Sequence, residues 1–319
     1  MAGLKRDLSD LPRSTPASVE GWAPDPEPRF AQVLVEQWAK RNEAAGPKAR
    51  ATATARFRHS DAGACSRKIA FAALDLPPSD PMDLPGVWNT SLGTEIHELW
   101  QAAVAELWPD AELEPKVSTI DGEGAGHIDA VVNVDGRRIA IELKSSGGYA
   151  FKASTGTARK GTPAEGPKHE HVIQAALNGL AVDADEIVIC YLAKECLSVN
   201  VADRFGASEL GRFLAEWSMD RDTYEPIARA EEARVKGILD LLDDGTLPAR
   251  KIPAPDVPKG AEIVDPTTGR WEVRDRDGNL TDTGSYWACN GYCSHQTRCA
   301  TTPSGRCSTD VLVDLGGAA

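Results

Sequence analysis

The 319-residue chain is short of several things, and each shortage narrows its class. No stretch has the length and low polarity of a membrane span, so a helical integral membrane protein is not expected. The N-terminus lacks a charged-then-apolar secretory pattern, which makes a cytoplasmic protein the expectation. Positive charge is in deficit, with Lys+Arg 35 against Asp+Glu 48 and a formal net charge of -13, so a polyanion would have to be met by a local groove rather than by bulk charge. No internal repeat is visible, and a solenoid or propeller drops out.

What is present is enough for a core: 41% of residues are hydrophobic. One domain with extensions is the favoured reading. Residues 1–50 form an N-terminal extension, rich in Pro, Ser and charge up to Pro28 and then helical near Arg29 to Asn42. Residues 51–250 carry the core, in which Cys65 leads into a helix through Leu74, Pro77 to Gly86 is a connector, Ile187 to Ala193 reads as a buried strand and Ser208 to Asp243 as helical. The last helix has Val235, Ile238, Leu239 and Leu242 on one buried face and solvated acids such as Glu231 and Glu232. Residues 251–319 hold a proline-rich linker, a small hairpin around Asp277-Gly278 and a crowd of cysteines.

The densest signal is a hairpin. Gly126-His127-Ile128-Asp129 opens an apolar run, Asp135-Gly136 interrupts it, and a second run ends in Glu142-Leu143-Lys144. Asp-Gly between alternating runs predicts a two-residue type I′ turn, which pairs Val134 with Arg137 and sets Asp129 opposite Glu142. Side chains alternate faces along a strand, so Asp129, Glu142 and Lys144 share one side, and Ile128, Ala130, Val132, Val134, Ile139, Ile141 and Leu143 form the core side.

Two carboxylates placed opposite each other repel, and a cation between them relieves the repulsion. Mg²⁺ or Mn²⁺ suits that place, because hard divalent ions take oxygen ligands and keep positions open for water and phosphate oxygens. Beside such an ion the Lys144 ammonium can position an attacking water or stabilise charge on a phosphoryl transition state. The bland alternative is a solvated hairpin face bearing a weak Glu–Lys pair. Upstream, Gly93-Thr94-Glu95-Ile96-His97 lies in a predicted helix whose apolar stripe is Leu92, Ile96, Leu99, Ala103 and Leu107, with His97 at its flank. Downstream, His171, Gln174 and Asn178 share one face of a second helix, while Ile173, Ala176, Leu177 and Leu180 face the core.

Taken together, Gly93…His97, Asp129, Glu142-Leu143-Lys144 and His171-Val172-Ile173-Gln174 resemble the motifs of the PD-(D/E)XK nuclease superfamily, and within it the RecB-like exonucleases that include the AddB nuclease domain and the CRISPR-associated exonucleases. The resemblance covers roughly Cys65 to Cys299. It implies an α/β, restriction-endonuclease-like core with a central mixed sheet flanked by helices. It makes His97, Asp129, Glu142 and the Leu143 carbonyl metal ligands, and gives catalytic roles to Asp129, Glu142, Lys144 and Gln174. Asn178 departs from the pattern, standing where a tyrosine is expected.

Seven cysteines in a chain expected to stay in a reducing compartment suggest metal or cluster ligation rather than disulfides. RecB-like domains of the iron-sulfur type use one early cysteine and three late ones. By that resemblance Cys65, in Cys65-Ser66-Arg67-Lys68, joins Cys289, Cys293 and Cys299 around a 4Fe-4S cluster that ties the termini together, with Cys307 as an alternative ligand. The competing reading is a Zn²⁺ site of Cys289, Cys293, Cys299 and Cys307.

From Arg137 to Glu170 the local balance is seven cations minus three anions, or +4. Much of that charge lies in Ser145 to Pro167, read as a long loop that tracks the DNA backbone through Lys152, Arg159 and Lys160 and offers Tyr149 and Phe151 for stacking on bases. The expected activity is a Mg²⁺- or Mn²⁺-dependent exonuclease acting on single-stranded DNA ends in a bacterial or phage-infected cell. Recombination, phage or CRISPR adaptation proteins would be its partners, with no membrane involved. A structure-selective or flap endonuclease on the same core, and a non-catalytic DNA-binding module, are the alternatives.

Overall fold

The computed structural model describes residues 55–80, 82–156, 164–195, 213–248, 262–265, 270–284, 294–295 and 299. In chain order the elements are β1 (Phe57–Arg58), α1 (Ser66–Ala73), α2 (Leu84–Leu107), β2 (Glu112–Leu113), β3 (Lys116–Thr119), β4 (Gly124–His127), β5 (Ala130–Val134), β6 (Arg137–Ser146), α3 (Gly148–Thr155), α4 (His169–Ala181), β7 (Glu186–Ala193), β8 (Leu214–Asp220), α5 (Arg221–Asp243), β9 (Glu262–Asp265), β10 (Arg270–Arg274) and β11 (Leu280–Gly284).

A mixed sheet in the order β2-β5-β6-β7-β8 organises the chain. Its only parallel pair is β6 with β7, joined through α3 and α4. The hairpin turn forms as the sequence dictates: Asp135 and Gly136 take φ of 50° and 79°, the pair of positive values that a type I′ turn needs. Val134 pairs with Arg137 and Ala130 with Ile141, where the ladder begins; Asp129 stands just before it, against the Leu143 amide, rather than as a ladder partner of Glu142.

Both faces of this sheet are covered, which differs from the expectation of one core face and one face given to Asp129, Glu142 and Lys144. On the face toward α2, Ala130, Val132, Ile141 and Val188 pack with Val104, and Val134 and Ile139 join them. On the other, Val131, Ala140, Ile187 and Ile189 pack beneath α4 and α5 in the main core. Ile128 belongs to that second cluster rather than with Ala130 and Val132. The reason is a change of sheet: β4 pairs with β1 and β3 in a separate three-stranded sheet, so strand alternation does not carry across Ile128-Asp129 into β5.

Three other expectations change. The apolar stripe of α2 is not its packed face: Leu99 is 75% and Leu107 70% exposed, while Gly93 and Val104 are buried. The stretch read as one helix from Ser208 contains β8, whose Leu214-Ala215-Glu216-Trp217-Ser218-Met219-Asp220 alternates in burial and pairs antiparallel with β7. On α5 the expected face of Val235, Ile238, Leu239 and Leu242 is buried, but Glu231 is buried too, accepting from the Gly63 amide at 2.9 Å and pairing with Arg234 at 2.6 Å.

Strands β9 to β11 form a small antiparallel sheet around the expected Asp277-Gly278 turn. Of the C-terminal cysteine region, Ser294, His295 and Cys299 are described. The Asp80 amide donates to the Ser294 carbonyl at 3.1 Å, His295 tilts against Phe71 of α1 with ring centres 5.4 Å apart, and Cys299 packs on the main core. Cys289, Cys293 and Cys307 lie outside the described residues, as do the helix expected at Arg29 to Asn42 and the Lys251 to Lys259 linker.

Candidate active site

The site lies where β5 begins and β6 runs on past it, so that helices from both faces of the sheet reach it. From α2 comes His97, whose Nδ1 is 3.2 Å from Asp129 Oδ1. Gly93 stands one turn earlier on the same helix face, and a Cβ there would lie 2.9 Å from Ser145 Oγ. The missing side chain lets α2 close on β6 beside Lys144, which explains the Gly-x-x-x-His spacing in steric terms. Asp129 is held from the other side, its Oδ2 accepting from the Leu143 amide at 2.6 Å.

Glu142 and Lys144 share a face of β6, as alternation requires, and that face is the one covered by α4. Lys144 Nζ donates to Glu142 Oε1 at 2.6 Å and to Gln174 Oε1 at 3.0 Å. The second Glu142 oxygen accepts from Asn178 Nδ2 at 2.9 Å. Glu142 is only 3% exposed. Burial pushes its carboxyl above the usual range, the Lys144 ammonium and the Asn178 amide pull it back, and the Asp129 carboxylate adds to the rise. A buried carboxylate is retained here because each oxygen has a donor.

This group opens on a cleft of about 840 Å³ lined by His97, Lys144, Ser145, Lys168, His171 and Lys194, among others. His171 Nδ1 is 2.6 Å from the Tyr191 hydroxyl, which also accepts from the Lys168 amide at 2.9 Å. Burial, with the Lys144 and Lys168 ammoniums, holds the His171 imidazole down at about 3, so it faces the cleft uncharged. Lys194 Nζ donates to the Asn89 carbonyl of α2 at 2.6 Å, joining one wall of the cleft to the end of β7.

His97, Asp129, Glu142, Leu143, Lys144 and Gln174 are thus gathered at one place. They do not converge on a single point: among the described residues no group of three or more His, Cys, Asp and Glu side chains is arranged to hold a metal ion. As donors, two carboxylates, an imidazole and a backbone carbonyl suit a hard divalent ion, and the raised Glu142 carboxyl beside Asp129 is a place where added positive charge would be stabilising.

The expected DNA-contact set divides. Tyr149 is 89% exposed, but Phe151 is buried in the core and cannot stack on a base. Lys152 is on α3, so the segment after β6 is partly helical rather than one long loop, and Arg159 and Lys160 lie outside the described residues. Two of the counted cations are spent elsewhere: Arg137 pairs with Glu186 and Asp220, and Arg138 with Glu112. Lys194 was missed because it follows a buried strand with no motif around it. His59, which holds Asn178 from behind, and Thr119, which holds His59, were missed as well: His59 is a lone histidine in a polar stretch, 119 residues from Asn178.

No protein-family model and no curated protein matches the chain. Among solved structures it is similar to the alkaline exonuclease LHK-Exo from Laribacter hongkongensis, at 12% identity and a TM-score of 0.37 over 66% of this chain and 96% of that one. The same exonuclease in complex with dAMP is similar at 14% identity and a TM-score of 0.39, over 59% of this chain and 88% of that one. A phage-related exonuclease from Haemophilus somnus 129PT gives 14% identity and a TM-score of 0.37, over 66% and 94% of the two chains. Likenesses this slight transfer no activity.

Proposed function

We propose that the chain is a divalent-metal-dependent deoxyribonuclease that hydrolyses DNA from single-stranded ends. The observation that carries this reading is the gathering of two carboxylates and an amine at the open end of the hairpin, with Asp129 on the Leu143 amide and Lys144 fixed between Glu142 and Gln174 at the wall of a cleft. Asp129, Glu142, His97 and the Leu143 carbonyl would hold Mg²⁺ or Mn²⁺, which supplies an acidified water and neutralises phosphate charge. Lys144, with its ammonium aimed by two acceptors, positions that water or donates to a phosphate oxygen in the transition state. Lys168 and Lys194 add positive charge along the cleft, and the uncharged His171 is available as a neutral hydrogen-bonding group.

The test is degradation of end-labelled single- and double-stranded DNA with Mn²⁺, comparing the wild type with Glu142→Ala, Lys144→Ala and His97→Ala. Each variant should lose roughly 10²-fold or more in rate. Wild-type rates in both Glu142→Ala and Lys144→Ala would reject the site and leave a DNA-binding module. Cleavage of circular single-stranded DNA would make the enzyme an endonuclease on the same core.

The 4Fe-4S cluster stays part of the proposal through Cys65, Cys289, Cys293 and Cys299. In its favour, Cys65 is exposed at the N-cap of α1, and His295 lies against Phe71 of that same helix while Cys299 packs on the main core. Protein purified without oxygen should absorb broadly in the visible and contain about four irons per chain. A colourless protein with one zinc would replace the cluster by the Zn²⁺ site.

A further inference from the structure

Behind Glu142 runs a buried polar chain to which the proposed chemistry gives no task. Thr119 Oγ1 lies 2.8 Å from His59 Nε2, and His59 Nδ1 lies 2.7 Å from Asn178 Oδ1. Asn178 Nδ2 donates to Glu142 Oε2 at 2.9 Å and to the His127 carbonyl at 3.2 Å. The direction of each bond follows from what each group can do. A carboxylate and a carbonyl only accept, so Asn178 presents its NH₂ to them and its oxygen to His59. His59 Nδ1 then carries the proton, and Nε2 accepts from the Thr119 hydroxyl. From Thr119 through His59 and Asn178 the donors run in one direction and end on Glu142, with the second Asn178 hydrogen on the His127 carbonyl. His59 and Asn178 are each 1% exposed, and burial pushes the His59 imidazole down toward the neutral form that this pattern requires.

A second observation is steric. A Cβ on Gly126 would lie 2.5 Å from His59 Nδ1, so β4 omits a side chain just where the imidazole passes, next to the His127 carbonyl that Asn178 holds. The chain therefore ties three separate pieces to one carboxylate: the turn before α1, the β3–β4 sheet and α4. It also gives Asn178 a reason to stand where the resemblance led one to expect a tyrosine.

We propose that His59 and Asn178 are positioning residues that fix the orientation of the Glu142 carboxylate from behind, with Gly126 as the gap that lets His59 reach. The proposal rests on the nuclease reading of Glu142, and its test separates the two. Mn²⁺ is titrated calorimetrically into the full-length chain. His59→Phe and Asn178→Leu, which keep bulk but remove donors, should weaken Mn²⁺ binding roughly 10- to 100-fold, and His59→Gln, which keeps a donor and an acceptor, should restore most of it. A folded His59→Phe protein with wild-type Mn²⁺ affinity would overturn the proposal and reduce His59 to a core residue. A urea-unfolding cycle without metal, built from His59→Phe and Glu142→Gln, provides the second measurement. The unfolding constant of the double variant should depart from the product of the singles by roughly fivefold or more. Additive effects would overturn the proposal. A wild type that binds no Mn²⁺ but shows this coupling would overturn the nuclease reading and keep the positioning one.

Discussion

The two helices that flank the site are held in opposite ways. Helix α2 is capped and lightly packed: the Asp83 side chain accepts from the Gly86 amide at 2.8 Å, a proline sits in its first turn, and only Gly93 and Val104 of its 24 residues are buried. Helix α4 has no side-chain cap, yet seven of its 13 residues are buried. It lies so close on β7 that a Cβ at Gly179 would come within 2.3 Å of Ile187 Cγ2. A helix with few buried contacts opens at little cost, and one wedged into the core does not. The difference teaches how the site is divided. The Glu142 carboxylate and the Lys144 amine are held by α4 through Asn178 and Gln174, whereas His97 is carried by the lightly packed helix α2.

The largest test of that contrast compares one leucine from each helix. Leu177→Ala, at a fully buried position on α4, should cost about 2 to 5 kcal/mol in urea unfolding, the usual range for a leucine deleted from a core. Leu107→Ala, on the exposed stripe of α2, should change stability by no more than about 0.5 kcal/mol. Equal losses at the two positions would mean that the stripe of α2 is covered, and the contrast would fall.

A smaller effect is expected from acid. His171, in the first turn of α4, has its folded pKa held at about 3 against an ordinary 6.5, so below 6.5 the unfolded chain binds more protons than the folded one. Its contribution to stability is complete above pH 6.5 and is lost as pH falls from there toward 3. The buried imidazole of His59, also pushed down, acts in the same direction. Between pH 7 and pH 5 the His171 part amounts to about 1 to 2 kcal/mol, and His171→Asn should remove it from the pH dependence of urea unfolding. An unchanged slope in that variant would show that His171 is not buried in the folded chain as described.

How much of this was legible in the chain depends on how local its cause is. The Asp135-Gly136 turn, the register that pairs Val134 with Arg137, and the pairing of Glu142 with Lys144 on one face follow from rules acting over a few residues. The face of α4 was legible for the same reason. What was not legible depends on distant partners. Periodicity marks an apolar stripe on α2 without saying whether anything covers it, and here the packed face is the one with Gly93. Alternation assigns Ile128 to a face only if the strand continues, and it stops where the chain changes sheets. The β8 strand was visible as a period of two but was absorbed into the helix that follows it. His59 carried no signal, because its meaning comes from Asn178 and Glu142, far along the chain.

The smallest effect separates the cleft from the surface beside it. Lys168 lines the cleft, whereas Lys152, one helix earlier, does not line it. Each phosphate contact made to a single strand contributes about 0.7 to the slope of log affinity against log salt. Lys168→Gln should therefore lower that slope by about 0.7 in single-stranded DNA binding, while Lys152→Gln leaves it unchanged. Lys194 is a less clean probe, since its ammonium also holds the Asn89 carbonyl and its loss would loosen α2. If Lys152→Gln flattens the slope and Lys168→Gln does not, the strand runs over α3 and the exposed Tyr149 instead of through the cleft, and α2 is not the wall that admits it.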